Sequence, residues 1–462
     1  VGGATTLHVY FSAAGSRMEK IDNFEINLEG GAVIVEEDEP VLTTDAVSSI
    51  TASTATCGGN VTDDRSSPVT VRGVCWSTTT GPTTALSTKT SDGTGTGVFT
   101  SSLTDLEQGT TYYVRAYATN GVGTSYGAEV SFTTASALIA TLPVGSGTSG
   151  SPYQIASLEN LYWITAPGTV DGLTQAQRWS KYYIQTTNID ASITSTWDGG
   201  AGWLPIGKFS TPFTGAYDGS GQTISGLFVN RPGIDDIGLF GGVNNATISN
   251  LGMIGVQLNG EQRVGALVGM CYGVVVITNC YSTGSLTGVQ YIGGLVGFIQ
   301  DGSVNNCYSS ATVGTGSVSV PGGLVGFNNG NIANCYATGA VTGFNLEGGL
   351  VGLNGLEGTI TTSYATGVVS NGNWHGGLVG YDDGVTITTC FWDVTTTGQA
   401  LSQGSDETIY GKTTLQMKTN TTFLDAGWDY TIWNIGDGIN NGYPYLDWQN
   451  PTGTPLTSIA LP

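Results

Sequence analysis

Apolar and polar positions alternate in short runs along this chain, interrupted by Gly, Asn, Asp and Ser. Alternation places one face of a strand on a core and the other in solvent, whereas a helix would repeat its apolar positions every three to four residues. Two regimes differ in spacing. Between 42 and 136 the runs TATCGGNVT, VTVRGVCWST, TYYVRAYAT and AEVSFTT are separated by turn signals roughly every 8 to 12 residues, the pattern of a β-sandwich. From 137 onward a longer period takes over.

That period is an internal repeat. The unit Ile-x-(Asn/Gly/Thr)-(Cys/Leu/Ser) begins at Ile224, Ile248, Ile277, Val304, Ile332, Ile360 and Ile387, at intervals of 24 to 29 residues. Gly-Gly-Leu-Val-Gly recurs in phase with it, with its leucines at Leu239, Leu267, Leu295, Leu324, Leu350 and Leu378. A period of this length, made of short β-branched segments separated by Gly, predicts a parallel β-helix of about seven coils. The expected fold class is therefore all-β: a sandwich followed by a capped solenoid. At ~4.8 Å per stacked strand, seven coils make a rod on the order of 34 Å long.

Stacking turns each register position into a ladder. The third position reads Gly226, Asn250, Asn279, Asn306, Asn334, Thr362, Thr389, and suits a bend where amides hydrogen-bond from coil to coil. The fourth reads Leu227, Leu251, Cys280, Cys307, Cys335, Ser363, Cys390, and points inward. Alternation then turns the fifth outward: Phe228, Gly252, Tyr281, Tyr308, Tyr336, Tyr364, Phe391. If the bend reverses parity, these tyrosines belong to the core instead.

Composition narrows the class of partner. The 462 residues include 72 Gly, only 10% are charged, and 13 Lys+Arg against 35 Asp+Glu leave a net charge of −22. At 39% hydrophobic the chain is no disordered acidic tail. Nucleic acid and anionic membrane surfaces both need clustered cations, and no Lys or Arg occurs between Arg263 and Lys412. No apolar run reaches the ~18 residues of a membrane-spanning helix, so this segment is not expected to insert directly.

The expected layout is the end of a preceding β-domain plus linker over 1–41, the sandwich over 42–136, an N-terminal solenoid cap over 137–214, and coils over 215–395. A C-terminal cap over 396–450 and a linker over 451–462 complete it. Ser157 is a plausible N-cap for a short helix in the first cap. The aromatics Trp428, Trp433, Tyr443, Tyr445 and Trp448 are expected to cover the last coil. The chain reads as a segment of a longer protein.

Two resemblances follow from quoted motifs. Leu106, Gly109, Thr110 and Tyr112 in LEQGTTYYVRAYATNGVG, with a last strand ending in SFTT, resemble a fibronectin type III module of the kind found in bacterial surface proteins. That likeness implies a spacer, with Tyr112 as a tyrosine corner. GGLVGFNNGNIANCYATGAVTG (322–343) resembles the GLUG repeat, and GYPYLDW the close of such arrays. This likeness implies an adhesin-like, secreted or cell-surface bacterial protein whose repeat carries no catalytic residues.

Catalytic chemistry is sparse. The two histidines, His8 and His375, form no triad with a nucleophile that the sequence can assemble. The carboxylate pairs Asp235/Asp236 and Asp382/Asp383 are adjacent in sequence, so in a strand they face opposite ways; both read as solvated turns. Asp218 and Asp437 in Asp-Gly turns leave calcium open, without a complete loop motif, and no other cofactor is expected. Cys280, Cys307, Cys335 and Cys390 read as small buried hydrophobes. Cys57 and Cys75 flank the turn DDRSSP on adjacent expected strands and are candidates for a disulfide.

Binding surfaces carry the functional expectation. Tyr281, Tyr308, Tyr336 and Tyr364 would form a flat aromatic stripe for sugar rings or a protein partner. The residues before each Gly-Gly, Tyr291 and Trp374 foremost, form a second edge. Multivalent contact with surface or matrix glycans or proteins is the first reading. The non-catalytic binding part of a polysaccharide-degrading protein, and a self-associating fibre subunit, are the alternatives.

Overall fold

The computed structural model describes residues 37–134, 139–315, 319–370, 373–383, 386–402, 410–436 and 438–450. The expected end of a preceding domain therefore lies, apart from 37–41, outside the described residues. So do the closing linker, His8 and Asp437.

In the first part, alternating segments pair antiparallel into two sheets. One holds Val41–Thr44, Ala55–Asp63 and Gly97–Leu103; the other holds Val71–Ser77, Thr111–Thr119, Thr124–Tyr126 and Val130–Thr133. The hydroxyl of Tyr112 accepts a hydrogen bond from the Glu107 amide at 2.9 Å, and its ring stacks on Phe132. Cys57 and Cys75 correct the disulfide expectation, because both are buried free thiols on strands of different sheets. Their sulfurs point to unrelated carbonyls, Cys57 to Asp45 and Cys75 to Arg115. Desolvation pushes the Cys75 thiol up to about 11, so it stays protonated at neutral pH.

The second part is a right-through stack of parallel strands in four walls. The isoleucine wall is nine strands deep and runs from Tyr153–Ile155 to Ile387–Thr388. That depth makes about eight turns. Its two N-terminal rungs, Tyr153–Ile155 and Tyr182–Gln185, lack the repeat signature and were hidden in the expected cap. After an αL bend each coil enters the tyrosine wall, which includes Gly252–Asn259, Tyr281–Gly288, Tyr308–Ser309, Tyr336–Ala337, Tyr364–Ala365 and Phe391–Asp393. A five-stranded glutamine wall follows, beginning with Gln262–Gly265 and Gln290–Gly293. A six-stranded valine wall from Phe240–Asn244 to Val379–Asp382 closes the coil.

Each motif now has a mechanical reason. The isoleucine ladder and all six motif leucines are essentially inaccessible to solvent and form one continuous core. The Gly-Gly corner is required by close approach. A β-carbon on Gly293, Gly322 or Gly348 would strike the carbonyl of Val296, Val325 or Val351, and one on Gly323 or Gly349 would strike the methyl of Ala337 or Ala365 across the narrow core. The third ladder position is a true left-handed bend, with φ between 52° and 54° at Asn250, Asn279, Asn306 and Asn334. Asn tolerates αL better than other non-glycine residues, which accounts for the residue type.

One register expectation is corrected. Ile224 does not belong to the isoleucine wall: it pairs with Ile189 and Met253 in the tyrosine wall. Tyr217 holds the rung below Ile248 instead. Thr-Ile-Ser occurs at both 223–225 and 247–249, so local sequence is identical and only the hydrogen-bond register separates them. With Ile224 go Gly226, Leu227 and Phe228, which are not counterparts of the Asn, Cys and Tyr ladders.

At the N-terminal end, Ser157 caps the helix Leu158–Thr165 by accepting from the Asn160 amide. Buried Arg178 donates to the carbonyls of Ile164, Ala166, Gly168 and Leu173 and so satisfies groups the helix end leaves open. The C-terminal aromatics lie on the last coil and continue beyond it: Phe423 and Trp428 pack on Phe391, Trp428 bonds to Thr389 and Tyr443 to Asp393, and the same cluster extends along the tyrosine wall over Tyr364 and Tyr336.

Candidate binding surface

The tyrosine ladder is outward, as alternation requires, yet it is not free. Tyr281, Tyr308, Tyr336 and Tyr364 stack with centroids 4.9, 4.8 and 5.1 Å apart and ring planes within 9° of parallel. Trp428, Trp433, Leu446, Met417 and Phe423 pack on the upper part of this stack, leaving Tyr336 and Tyr364 buried and Tyr308 and Tyr281 half-buried. Polar ties accompany the packing: Tyr364 donates to the Pro444 carbonyl, Tyr336 exchanges hydrogen bonds with Gln449, and Trp428 donates to the Thr389 carbonyl at 2.9 Å. Desolvation raises the phenol pKa of all four tyrosines. An exposed sugar-stacking stripe on this wall is thereby corrected. Outward from the coil is inward to a second apolar cluster, because the covering segment is supplied from over 50 residues downstream.

The ladder ends at Gly252. A β-carbon there would collide with the Tyr281 ring, which lies flat over the missing side chain of its own counterpart on the preceding rung.

The inward cysteines do more than fill space. Cys280, Cys307, Cys335 and Cys390 each donate to the carbonyl two residues earlier, at 3.1 to 3.3 Å, and Ser363 does the same through its hydroxyl at 2.7 Å. The Cys280 amide meets the Cys307 sulfur and the Cys335 amide meets the Ser363 oxygen, each from the next coil. A sulfur or hydroxyl thus satisfies these two amides, while each carbonyl also accepts from the amide of the αL residue on the preceding coil. Full burial raises the thiol pKa of Cys280, Cys307 and Cys390, to about 12 for Cys390, so at these three the thiolate needed for reactivity is absent.

The carboxylates and amides are similarly engaged. Asn279 donates to Asn250, and Asn250 to Asp218, which also accepts from the Ser220 amide. A second ladder runs from Asn328 through Asn354 to Asp382. Asp218 and Asp382 are acceptor ends of amide ladders. Asp235 and Asp236 are not a solvated turn either: they clamp Arg263 from the next coil, Asp235 at 2.8 Å, and Asp236 is buried. Among the described residues no group of three or more His, Cys, Asp or Glu is placed to hold a metal ion.

What remains uncovered is the corner between the glutamine and valine walls. Met270, Phe298, Phe327, Leu353 and Tyr381 follow one another in register and point outward. Phe298 and Phe327 stack at 4.4 Å, and Tyr291 lies across the edges of both at 5.2 and 5.7 Å, nearly perpendicular to each. Trp374, half exposed, meets Tyr381 at 90°. Tyr291 and Trp374 were legible before each Gly-Gly. The row Phe298, Phe327, Leu353, Tyr381 was missed although it stands one residue after the last Gly of the motif, where reading the repeat one position further would have found it.

These features define a charge-poor parallel β-solenoid whose ionisable and amide groups serve its own ladders. The GLUG motif matches residues 288–314 and 318–342, within the coils of the solenoid. It is 38% identical over 148 residues to Halomucin of Haloquadratum walsbyi, covering 31% of this chain and 2% of that protein. It is 35% identical over 139 residues to a Gly-rich membrane protein of Evansella cellulosilytica, covering 28% of this chain and 14% of that one. The chain thus spans a small part of the curated relatives it matches. Among solved structures an IgA1 protease is similar over 85% of this chain and 32% of its own, at 14% identity and a TM-score of 0.43. Among the described residues no helix is long and apolar enough to cross a membrane.

Proposed function

We propose that this chain is a non-catalytic, adhesin-like or structural stretch of a cell-surface protein, with a fibronectin type III-like spacer ahead of a binding solenoid. The observation that carries the reading is the internal engagement of its polar chemistry: the ladder thiols are bonded within their own coil, and the ladder amides and carboxylates to neighbouring coils. What repeats on the outside is an uncharged aromatic and aliphatic edge. Identical rungs at a fixed rise suit many weak contacts made together. Relatives described as Halomucin and a Gly-rich membrane protein agree with a place at the cell surface.

Beads coated with the full chain should adhere to cells or matrix-coated surfaces above albumin-coated beads. Equal adhesion of the two would remove the adhesive reading, and release of reducing ends from polysaccharides by the chain would remove the non-catalytic one.

A further inference from the structure

Two corners of the coil adopt left-handed backbone, one on every rung from Asn250 to Thr389 and the other on four of six rungs, and they are filled by opposite kinds of residue. After the isoleucine wall the αL position is Asn at four consecutive rungs, the residue that adopts it most readily after Gly. At the entrance to the glutamine wall the ladder reads Asp236, Arg263, Tyr291, Val320, Leu346, Trp374, and φ is 61°, 56°, 56° and 54° at Asp236, Arg263, Tyr291 and Leu346. Long and aromatic side chains are strained there. Backbone comfort does not select Arg263, Tyr291 or Leu346, so their side chains do.

Those side chains make a surface. Tyr291 stands beside the stacked pair Phe298 and Phe327, nearly perpendicular to both, and stays partly exposed. Trp374 follows three rungs later, about 14 Å along the stack at ~4.8 Å per rung. One residue before the αL position, Gln262 and Gln290 are partners on adjacent strands, and their half-buried side-chain amides bond to no described residue. Arg263, the cation on this ladder, is neutralised by Asp235 and Asp236, and the sequence has no Lys or Arg between it and Lys412.

We propose that this edge binds a neutral linear polysaccharide lying along the solenoid axis, with Tyr291 and Trp374 as stacking platforms and Gln262 and Gln290 bonding its hydroxyls. Ring faces accept the C–H face of a sugar, free amides both donate to and accept from hydroxyls, and the local charge disfavours a polyanion. The inference rests on the surface-binding role proposed above and gives it a ligand class.

Affinity electrophoresis of the full chain through gels containing hydroxyethylcellulose, laminarin or soluble starch tests it, with alginate and heparin as anionic counterparts. At least one neutral polymer should retard the wild type and neither anion should. Trp374→Ala should weaken that retardation at least tenfold, and Val98→Ala, at an exposed site in the sandwich, should leave it unchanged. Tyr291→Asn is the decisive variant: Asn suits the αL backbone, so it should melt no lower than wild type while losing binding. No retardation by any neutral polymer, preference for an anionic one, or wild-type binding by Trp374→Ala and Tyr291→Asn overturns the proposal. So does a dimer that these variants dissociate in sedimentation, which would make a second copy the occupant. Bead adhesion measured in parallel separates the readings: adhesion without polysaccharide binding overturns this inference alone, and polysaccharide binding without adhesion overturns only the adhesive role.

Discussion

The indole N–H of Trp448 donates to the carbonyl oxygen of Asn306, 3.0 Å away and 142 residues earlier in the chain. The same indole stands 5.9 Å from the ring of Tyr308 and 6.0 Å from that of Tyr281. One residue near the end of the described chain thus reaches back across the rungs of Tyr364 and Tyr336, and the C-terminal segment becomes a lateral cover for the tyrosine wall.

Trp433 lies at the centre of this cover, fully buried against Tyr336, Tyr364 and Trp428. Trp433→Ala should cost about 3–5 kcal/mol by removing a large buried aromatic. Urea denaturation followed by tyrosine and tryptophan fluorescence measures it, and a loss below about 1 kcal/mol would mean that the segment is not packed as described.

The raised phenol pKa values set an alkaline limit. Tyr336 and Tyr364 keep their protons in the folded state at pH values where an unfolded chain, near 10, releases them. The unfolded state then binds fewer protons than the native one, so their contribution is fully present below pH 10 and falls as pH rises above it. Tyr443, pushed up to about 12, mainly by burial and then by its bond to Asp393, acts in the same direction. Melting temperature should decline above pH 10, and Tyr364→Phe should flatten that decline.

Gly252→Ala forces Tyr281 off the surface it covers. We expect a loss of about 1–3 kcal/mol, as for other overpacked sites, together with faster nitration of Tyr281 by tetranitromethane in peptide maps. Unchanged nitration would contradict the flat packing of this ring.

The ladder cysteines differ from simple hydrophobes in a measurable way. Cys335→Ser keeps both the donor to Ala333 and the acceptor that Ser363 already demonstrates on the next rung, so it should be the milder change. Cys335→Ala removes one of two donors from the Ala333 carbonyl, which still accepts from the Asn306 amide, and should cost about 0.5–1.5 kcal/mol. In the native chain all seven thiols, Cys57 and Cys75 included, should resist alkylating reagent until denaturant is added, when mass spectrometry should count seven adducts.

At the bend, Asn279→Gly removes the side-chain bonds to Asn250 and Thr278, while Asn279→Ala removes the same bonds and also places an alanine at φ 52°. The alanine variant should be the less stable by roughly 1 kcal/mol or more. Equal stabilities would show that the ladder bond, rather than the backbone conformation, selects Asn.

Much of the molecule was legible in its residues because stacking converts spacing into structure. The period of Ile277, Val304, Ile332 and Ile360, the leucines of the Gly-Gly motif and the Asn and Cys columns identified a parallel solenoid and its inward and bend positions by local rules alone. Alternation correctly turned Tyr281, Tyr308, Tyr336 and Tyr364 away from the coil interior. Three things needed the tertiary structure. Ile224 and Ile248 sit in identical tripeptides, so only hydrogen-bond register assigns them to different walls. Whether an outward tyrosine meets water depends on Trp433 and Trp448, and no periodicity within the coils encodes where a distant segment will lie. The strained corner at Arg263, Tyr291 and Leu346 was invisible because these residue types do not advertise a left-handed backbone; the turn of the coil imposes it, and only there does the contrast with the Asn column appear.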